Sequence, residues 1–548
     1  MRALGAIALV AACSSPAQPP VHRGGAGSAA PMLAALPKPE AVATAAFVSV
    51  APCARCHGPA EKAMRDAQGR DISPVTDSAA TVMALSARDP YYLAAFRREL
   101  LANPGAAAQI TATCIRCHAP VGFAEDARLT LDDLERGTSD AAVLGREGAG
   151  CAGCHAQPPE GLGTEATFTG RAALRTDRVA FGALPRPEAE AMVTMVRTTP
   201  MRADHVSESR LCAGCHTVLV HALDGTGAPA GDEVPEQATY LEWRNSDFQD
   251  ETRPAGPRAQ TCQGCHQPVE QGLVTPFSTR PVDAPTRSGY ERHTLYGGNA
   301  YLLDRLAAKT AWLNAAATPE QLRDAARGTR TNLAKAARLA LQRTGNTLRV
   351  TVENATGHKL PSGYPTRRMW LHVAARAANG RVVFETGAVD RRGALVDMTG
   401  RRLDGPGAIL PHVDEIARGD QVAVWEAVPV DATGARTHLL LGTARFAKDN
   451  RILPAGWSDK HPDAPRTRPI GVAGDATFVA GKDTVTVKLP DGAAEVLVEL
   501  LYQPIPPETI ESYKATDSPE AARFLDVFDA PPPAEVLARE TLPPPGAR

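Results

Sequence analysis

The chain has 548 residues, a length that suits two or three domains. Its formal net charge is −2, so the charge gives no reason to expect a nucleic acid or another polyelectrolyte as a partner. Aromatic residues make up only 5% of the chain, and 46 glycines and 46 prolines indicate a loop-rich fold.

The N-terminus resembles an export signal followed by a linker. The tetrapeptide Val-Ala-Ala-Cys ends at Cys13 and resembles a bacterial lipobox, so we expect a lipoprotein-type signal peptide over residues 1–12. Lipidation of Cys13 would anchor the chain to a membrane. The alternative is an ordinary secretory signal in which Cys13 is incidental. Ser14 and Ser15 favour the outer membrane over the inner one, and residues 13–45, which are rich in Ala, Gly and Pro, are predicted to form a flexible tether.

Residues 46–299 contain five copies of Cys-x-x-Cys-His, the attachment motif of c-type haem. Each thiol adds to one haem vinyl group, and the adjacent histidine binds the iron axially. A redox dithiol or half of a zinc site does not require a histidine directly after the second cysteine. The motifs therefore predict five covalently attached haem c groups in a mainly α, loop-rich pentahaem domain. The attachment cysteines are Cys53, Cys56, Cys114, Cys117, Cys151, Cys154, Cys212, Cys215, Cys262 and Cys265, and the proximal ligands are His57, His118, His155, His216 and His266.

Residues 300–345 are rich in Ala, Leu, Arg and Lys and are predicted to form a helical connector. Two antiparallel helices broken near Ala316 fit the pattern. Thr318 as N-cap, Pro319 at the first helical position and Gln321 at the third begin the second helix. Gly345-Asn346 is predicted to end it.

Residues 346–505 change to short alternating or β-branched segments separated by turn residues, which predicts a β-sandwich. Residues 506–548 contain two Pro-Pro-Pro runs and are predicted to be an extended Pro-rich tail. The predicted strands are 348–354, 369–375, 381–387, 421–428, 437–442, 484–489 and 494–502. The expected fold is thus a multidomain chain with a pentahaem cytochrome c domain, a helical segment and a C-terminal β-sandwich.

The ligand on the second axial position of each iron decides whether a haem only transfers electrons or also binds small molecules. Nine histidines lie outside the motifs, enough for five haems with two histidine ligands each. His205 and His221 flank the fourth motif, and His293 follows the fifth. His358 lies in a Gly- and Pro-rich loop between two predicted strands, from which it could reach a haem of the other domain. Met83 is a thioether candidate, or simply a core methionine.

Several segments resemble bacterial multihaem cytochromes c related to the cytochrome c554 group, with an appended β-domain. They are ALSARDPYYLAAF, CIRCHAP, SRLCAGCH, EQATYLEW with TCQGCH, HTLYGGN, TGHKLPSGYPTRRMWLHV and AKDNRILPAGW. The resemblance implies electron transfer, and it implies that His358, in the Gly-His-Lys-Leu-Pro-Ser-Gly loop, is a distal ligand. Gln267 stands where such proteins often have Met.

The leading hypothesis is an electron-transfer cytochrome of the bacterial cell envelope, anchored by lipid and serving redox partner proteins there. A second hypothesis is a haem reductase or oxidase acting on a small nitrogen or sulfur compound at one open haem. The chain lacks the Cys-x-x-Cys-Lys variant that resembles a nitrite-reductase site, so no catalytic residue is assigned. A third hypothesis makes the β-domain a docking module that brings the haems to a partner or an extracellular acceptor.

Overall fold

The computed structural model describes residues 34–224, 226–278 and 284–543. The predicted signal peptide, Cys13 and the first part of the predicted tether lie outside these residues. The rest of that tether is packed on the protein. Leu36 is buried, its N–H donates to the carbonyl of Trp312 at 3.1 Å, and its carbonyl accepts from Asn314 Nδ2 at 2.7 Å. The prediction of a flexible tether up to residue 45 was therefore wrong over residues 34–45, because Leu36 buries apolar surface there.

The motif-bearing region is made of short helices and small two-stranded ladders. Its helices are α1 (Val50–His57), α2 (Pro74–Ala79), α3 (Pro90–Ala102), α4 (Ala107–His118), α5 (Pro120–Glu125), α6 (Leu131–Arg136), α7 (Asp140–Gly145), α8 (Cys151–His155), α9 (Ala189–Val196), α10 (Arg210–Ala213), α11 (Thr239–Arg244) and α12 (Cys262–His266). Its strands are β1 (Val179–Gly182), β2 (Thr199–Arg202), β3 (Val218–Leu223), β4 (Pro229–Gln237), β5 (Val269–Glu270) and β6 (Tyr290–Glu291).

The predicted connector is only partly helical. It forms α13 (Ala300–Ala308), α14 (Thr310–Leu313) and α15 (Pro319–Leu333), and the capping box of Thr318 and Gln321 at the start of α15 is confirmed. The helix does not continue to Gly345, however, since β7 (Ala337–Thr344) follows it. Good helix formers occupy β7, but alternate residues of β7 pack on the sandwich core and the strand pairs along its whole length with β8. Tertiary pairing overrides the local helix propensity here.

Two sheets face each other across one apolar core and form the β-domain. The remaining elements are β8 (Thr347–Asn354), β9 (Arg368–Arg376), β10 (Val382–Thr386), β11 (Ala388–Val389), β12 (Leu395–Val396), β13 (Glu415–Ile416), β14 (Val424–Val430), β15 (Arg445–Asp449), α16 (Ala464–Thr467), β16 (Lys482–Lys488), β17 (Glu495–Gln503), α17 (Pro507–Ser512), α18 (Pro519–Val527) and β18 (Glu535–Leu542). One sheet has the order β15-β14-β9-β17-β18 with β10 on β9, and the other has the order β13-β16-β8-β7. Val350 and Val485 of the second sheet share a core cluster with Leu371 and Val498 of the first.

Six of the seven predicted strands are present within two or three residues of their predicted bounds. The seventh, 437–442, contains a 3-10 turn (Leu440–Gly442) instead. The predicted Pro-rich tail was wrong, because residues 506–543 fold onto the protein. Phe524 of α18 is fully buried against Tyr91 of α3, with ring centroids 5.2 Å apart, and β18 pairs antiparallel with β17.

Candidate haem sites

All five motifs are helical or begin a helical turn. Helices α1 and α4 end at His57 and His118, α8 and α12 each consist of one motif, and α10 covers the start of the fourth. In a helix, residues three positions apart lie on one face, so the two thiols of each motif point in a common direction. None of the ten motif cysteines is in a disulfide, and Cys265 alone among them is exposed. These ten thiols are therefore free to form thioether bonds.

The motifs lie close together in an order that differs from the chain order. The Cys215 thiol raises the pKa of the Cys117 thiol, and the Cys262 thiol raises that of the Cys212 thiol, so each pair of thiols lies close together. Burial and then the Cys215 thiol raise the pKa of Cys154 to about 11. The fourth motif thus lies beside the second, third and fifth motifs.

The first motif lies beside the third motif and so extends this cluster. Burial raises the pKa of the Cys151 thiol, and the Cys53 thiol raises it further. The imidazoles of the same two motifs also interact, since burial and then His155 lower the pKa of His57 to about 4. Such electrostatic effects need short distances, so motifs one and three are neighbours.

Three proximal histidines have the ring orientation that metal binding requires. The Nδ1 atoms of His118, His155 and His266 lie 3.1, 2.6 and 2.5 Å from the backbone carbonyls of Ser86, Phe181 and Tyr296. An Nδ1–H that donates to a carbonyl leaves Nε2 unprotonated and available as a ligand. The pKa of His118 is lowered to about 4 and that of His266 is also lowered, in both cases mainly by burial.

Two of the predicted distal histidines face a proximal histidine. The ring centroids of His155 and His293 are 6.4 Å apart with an interplanar angle of 24°, and those of His266 and His358 are 6.5 Å apart with an angle of 13°. Two metal–imidazole bonds of about 2 Å each, plus the distances from the ligand nitrogens to the ring centres, give a centroid separation of about 6 Å. Both pairs therefore have room for one iron between their imidazoles.

The His358 loop, between β8 and β9, is held rigidly at the junction with the haem region. His358 Nδ1 lies 2.8 Å from the carbonyl of Lys359, which leaves its Nε2 free. Asn354 Nδ2 donates to the carbonyl of His358 at 2.7 Å. A Cβ at Gly357 would lie 3.0 Å from Trp243 and Phe248 of the haem region, so a glycine is needed for this close approach.

A buried network of four charged side chains anchors the same loop. Lys359 Nζ pairs with Asp449 at 2.6 Å, and Arg451 binds Asp449 with two hydrogen bonds of 2.7 and 2.8 Å. Glu242, on α11 of the haem region, lies 3.3 Å from Arg451 and accepts from the Lys359 N–H at 3.1 Å and from Ser362 Oγ at 2.6 Å. The network has two positive and two negative charges, so its burial leaves no net charge beside His358.

The position of His293 is fixed by an ion pair that the preceding residue, Arg292, forms. Arg292 forms two hydrogen bonds of 2.6 and 2.7 Å with Asp77 of α2, and the His293 N–H donates to the same carboxylate at 3.3 Å. The Nδ1 atom of His293 is buried and has no hydrogen-bond partner among the described residues. A buried ring nitrogen without a partner is costly, which fits a ring that an iron ligand bond would complete.

The other predicted distal ligands are placed less favourably. His205 is buried, but its Nε2 lies 2.8 Å from the carbonyl of Gln157, so only Nδ1 is left to bind a metal. His221 is exposed on β3, and its Nδ1 lies 3.3 Å from the carbonyl of Gly231. Met83 is half-buried in the turn before α3, and its carbonyl accepts from Ala149 at 3.0 Å. Within residues 34–224, 226–278 and 284–543, His57, His118 and His216 face no second imidazole in a comparable pair.

The second motif has an acidic and aromatic surrounding. The Tyr92 ring stacks on the His118 ring at 3.7 Å, and its buried hydroxyl has no partner. Burial raises the pKa of Glu99 to about 7 and that of Glu236 to about 8, with Glu99 raising the latter further. Both carboxylates also raise the pKa of Cys114, whose burial is the main cause. Proton-binding groups therefore lie beside this motif.

The site residues that the sequence did not single out are Glu242, Lys359, Asp449 and Arg451. Their types are ordinary surface types, and only the fold brings them together. The strings EQATYLEW, TGHKLPSG and AKDNRILPAGW, which carry these four residues, were the available signals.

His412, Asp475 and Asp483 of the β-domain form a separate cluster whose ligand atoms lie within 4.8 Å of one another. Asn450 Oδ1 accepts from a backbone N–H, so its amide nitrogen is the group 3.0 Å from His412 Nδ1. His412 Nδ1 is then the acceptor, and Nε2–H donates to Asp475 at 2.9 Å. Both ring nitrogens of His412 therefore already make hydrogen bonds within the β-domain, so the ring has a structural role.

No helix in the described ranges is long and apolar enough to cross a membrane. No family model and no curated protein matches the chain. One solved structure, a penta-heme cytochrome c552 from Thermochromatium tepidum, is similar at 17% identity and a TM-score of 0.43, covering 78% of this chain and 83% of that one. A similarity at this level does not assign a fold or a function to the chain.

Proposed function

We propose that the chain is a pentahaem c-type cytochrome that transfers electrons at the bacterial cell envelope. The observation that carries the proposal is the two pairs of facing imidazoles, His155–His293 and His266–His358, each of which contains one motif histidine and has room for one iron. Haem c supplies reversible one-electron chemistry at such sites. The protein's part is to hold each ring nitrogen in place and to keep water away from it.

The arrangement of the motifs supports a route for electrons. The first motif neighbours the third, the third neighbours the fourth, and the fourth neighbours both the second and the fifth. Groups bound at neighbouring motifs would lie close together in a branched chain with the fourth motif at its centre. Electrons could then enter at one end and leave at another within a single molecule.

Export and membrane attachment complete the proposal. Haem c attachment occurs outside the cytoplasmic membrane, and the Cys13 lipobox would tether the protein to the envelope, in the outer membrane or the periplasm. The partners would be redox proteins of the envelope, with a small molecule or an extracellular acceptor as the alternative.

A pyridine haemochrome assay combined with EPR during a redox titration tests the proposal. The holoprotein, made in a host that attaches haem c, should contain five haems, at least two of which give the low-spin signal of two histidine ligands. Fewer than four haems per chain, or no low-spin signal of this type, would refute it.

A second candidate function is reduction or oxidation of a small nitrogen or sulfur compound at the second motif. It is favoured by the surroundings of His118, where Tyr92, Glu99 and Glu236 could hold and move protons. Its test is an EPR signal of high-spin ferric haem that shifts on addition of nitrite or hydroxylamine. That signal should change in a Glu99→Gln variant and stay unchanged in a Glu135→Gln control.

A further inference from the structure

An open cavity of about 570 Å³ lies where the β-domain meets the haem region. The segment just before the fifth motif lines one side of it, through Arg258 and Gln260. The ends of β7, β8 and β16 line the other side, through Arg338, Glu353 and Lys482. The cavity thus joins the segment leading to Cys262 with the strand that leads into the His358 loop.

Positive charge dominates this cavity. Its charged lining residues are Arg258, Arg338, Lys482 and Glu353, a local balance of +2. Arg338 and Lys482 stand opposite Glu353 in the β7-β8-β16 register, one on each side of it. None of the four makes an ion pair with any residue that the structure describes, and the three cations are exposed. Unpaired cations that converge on one cavity attract anionic groups from solution.

The sign of this charge is opposite to that of the whole molecule. The chain carries a formal net charge of −2, and five haems would add about ten propionate carboxylates. An acidic partner would therefore be repelled by most of the surface and attracted to this cavity. Local attraction against a repelling background fixes the orientation in which a charged partner docks.

Two further features belong to an electron-transfer interface. Cys265, which lies in the fifth motif next to the cavity, is exposed, so the group bound there would have an edge near the surface. Val479, which is hydrogen-bonded to the cavity residue Lys482 through the backbone, is 40% exposed. Weak redox complexes have small interfaces with an apolar centre and a charged rim.

We infer that this cationic cavity is the docking site for the acidic face of a one-electron carrier protein, which exchanges electrons with the haem of the fifth motif. The inference rests on the proposed function. In the exchange one iron of the fifth site changes between Fe(II) and Fe(III), the partner's redox centre takes up or gives the same electron, and no proton or bond is transferred.

The test measures binding of an acidic probe to the holoprotein. Poly-L-glutamate titrated into the wild type should bind with an affinity that falls steeply with added salt. In the triple variant Arg258→Glu, Arg338→Glu and Lys482→Glu the affinity should fall at least about tenfold. The control triple Arg186→Glu, Arg391→Glu and Lys514→Glu changes the net charge equally at exposed positions elsewhere and should lose less than about threefold.

A kinetic arm uses stopped-flow oxidation of the reduced protein. Ferricyanide should react more slowly with the cavity variant than with the control variant, and hexaammineruthenium(III) should react faster. Poly-L-glutamate should slow ferricyanide oxidation of the wild type and of the control variant, but not of the cavity variant. The single loop variant Arg258→Gln, which leaves the strands intact, should show the same changes to a smaller extent.

Equal losses in the two triple variants, or binding unaffected by either, would overturn the inference. These outcomes differ from a failure of the proposed function, which would appear as missing haem or missing low-spin signals in the unmodified protein.

Discussion

Replacing His358 with glycine removes one imidazole from the His266–His358 pair and leaves the other four motifs untouched. The two ring centroids are 6.5 Å apart, and glycine at position 358 has no side chain that could replace the lost imidazole as an iron ligand. The iron at the fifth motif then keeps only its proximal ligand, and a haem with one histidine is high-spin or binds water. The expected change is one additional high-spin haem relative to the wild type.

EPR spin quantitation of the oxidised holoprotein measures this fraction, with the pyridine haemochrome assay confirming that five haems remain attached. Adding free imidazole should restore the low-spin signal, because the vacated space has the size of the ring that left. The double variant with His293→Gly should give two additional high-spin haems relative to the wild type. His221→Ala, at an exposed position, is the matched control and should change nothing.

The reasoning fails if His358→Gly retains five haems and a wild-type spectrum, since His358 would then not be a ligand. It also fails if His221→Ala raises the same high-spin signal. A loss of all low-spin signals would mean that the substitution unfolds the interface, and free imidazole would not reverse that change.

Three further predictions concern stability. Lys359→Met leaves Asp449 and Arg451 buried with one cation fewer, and we expect a loss of about 3–5 kcal/mol in urea unfolding, with Ser458→Ala as a milder interface control. Burial and then Glu520 raise the pKa of Glu135 from 4.5 to about 7. A carboxyl group whose pKa rises on folding stabilises the fold below pH 4.5, and this stabilisation, of at most about 3 kcal/mol, is lost as the pH rises through 7. Glu135→Gln should therefore be more stable than the wild type at pH 8 and should show a flatter thermal-unfolding profile between pH 5 and pH 8; an unchanged profile would contradict this. Deletion of residues 533–548 removes β18 and exposes the edge of β17, which should produce aggregation in size-exclusion chromatography, whereas deletion of residues 544–548 should not.

The strands of the β-domain could be predicted because their signal is local. Alternating Val and Leu residues between turn residues indicate a half-buried strand without knowledge of the partner, and β8, β9, β16 and β17 lie where the alternation places them. Strand β7 could not be predicted in this way, since Ala, Leu, Arg and Gln favour a helix and only pairing with β8 selects the strand.

In the C-terminal segment, the prediction of an extended tail missed a helix that the local sequence does indicate. Two Pro-Pro-Pro runs suggested an extended tail, although Ser518 and Pro519 begin a capped helix and Phe524 and Val527 supply its apolar face. The proline runs follow α18 and flank β18, so they describe neither element. A search for N-cap residues before the first run would have found α18.

The haem sites also combine features that could be predicted from local sequence with features that could not. The spacing of Cys-x-x-Cys-His is a local property, and the structure leaves all ten thiols unpaired beside buried imidazoles. Distal ligands are non-local, and sequence distance misled in one case. His221 is only five residues from His216, yet it points outward because β3 alternates. His358 is 92 residues from His266 and faces it.

The pairing of His266 with His358 makes the β-domain part of the fifth haem site and ties its stability to ligation. Binding of iron by both rings would stabilise the domain interface, because a ligand that binds only the folded state adds its binding free energy to the free energy of unfolding. The network of Glu242, Lys359, Asp449 and Arg451, which has no net charge, holds the His358 loop in place before any metal binds. Iron binding therefore costs little loss of conformational entropy in the loop. Unfolding of the interface in urea should therefore coincide with the appearance of high-spin haem in the wild type. In Lys359→Met both should move together to lower urea, and a spin change that precedes the unfolding would show that the interface stays folded without the iron bond, so that its stability is not tied to ligation.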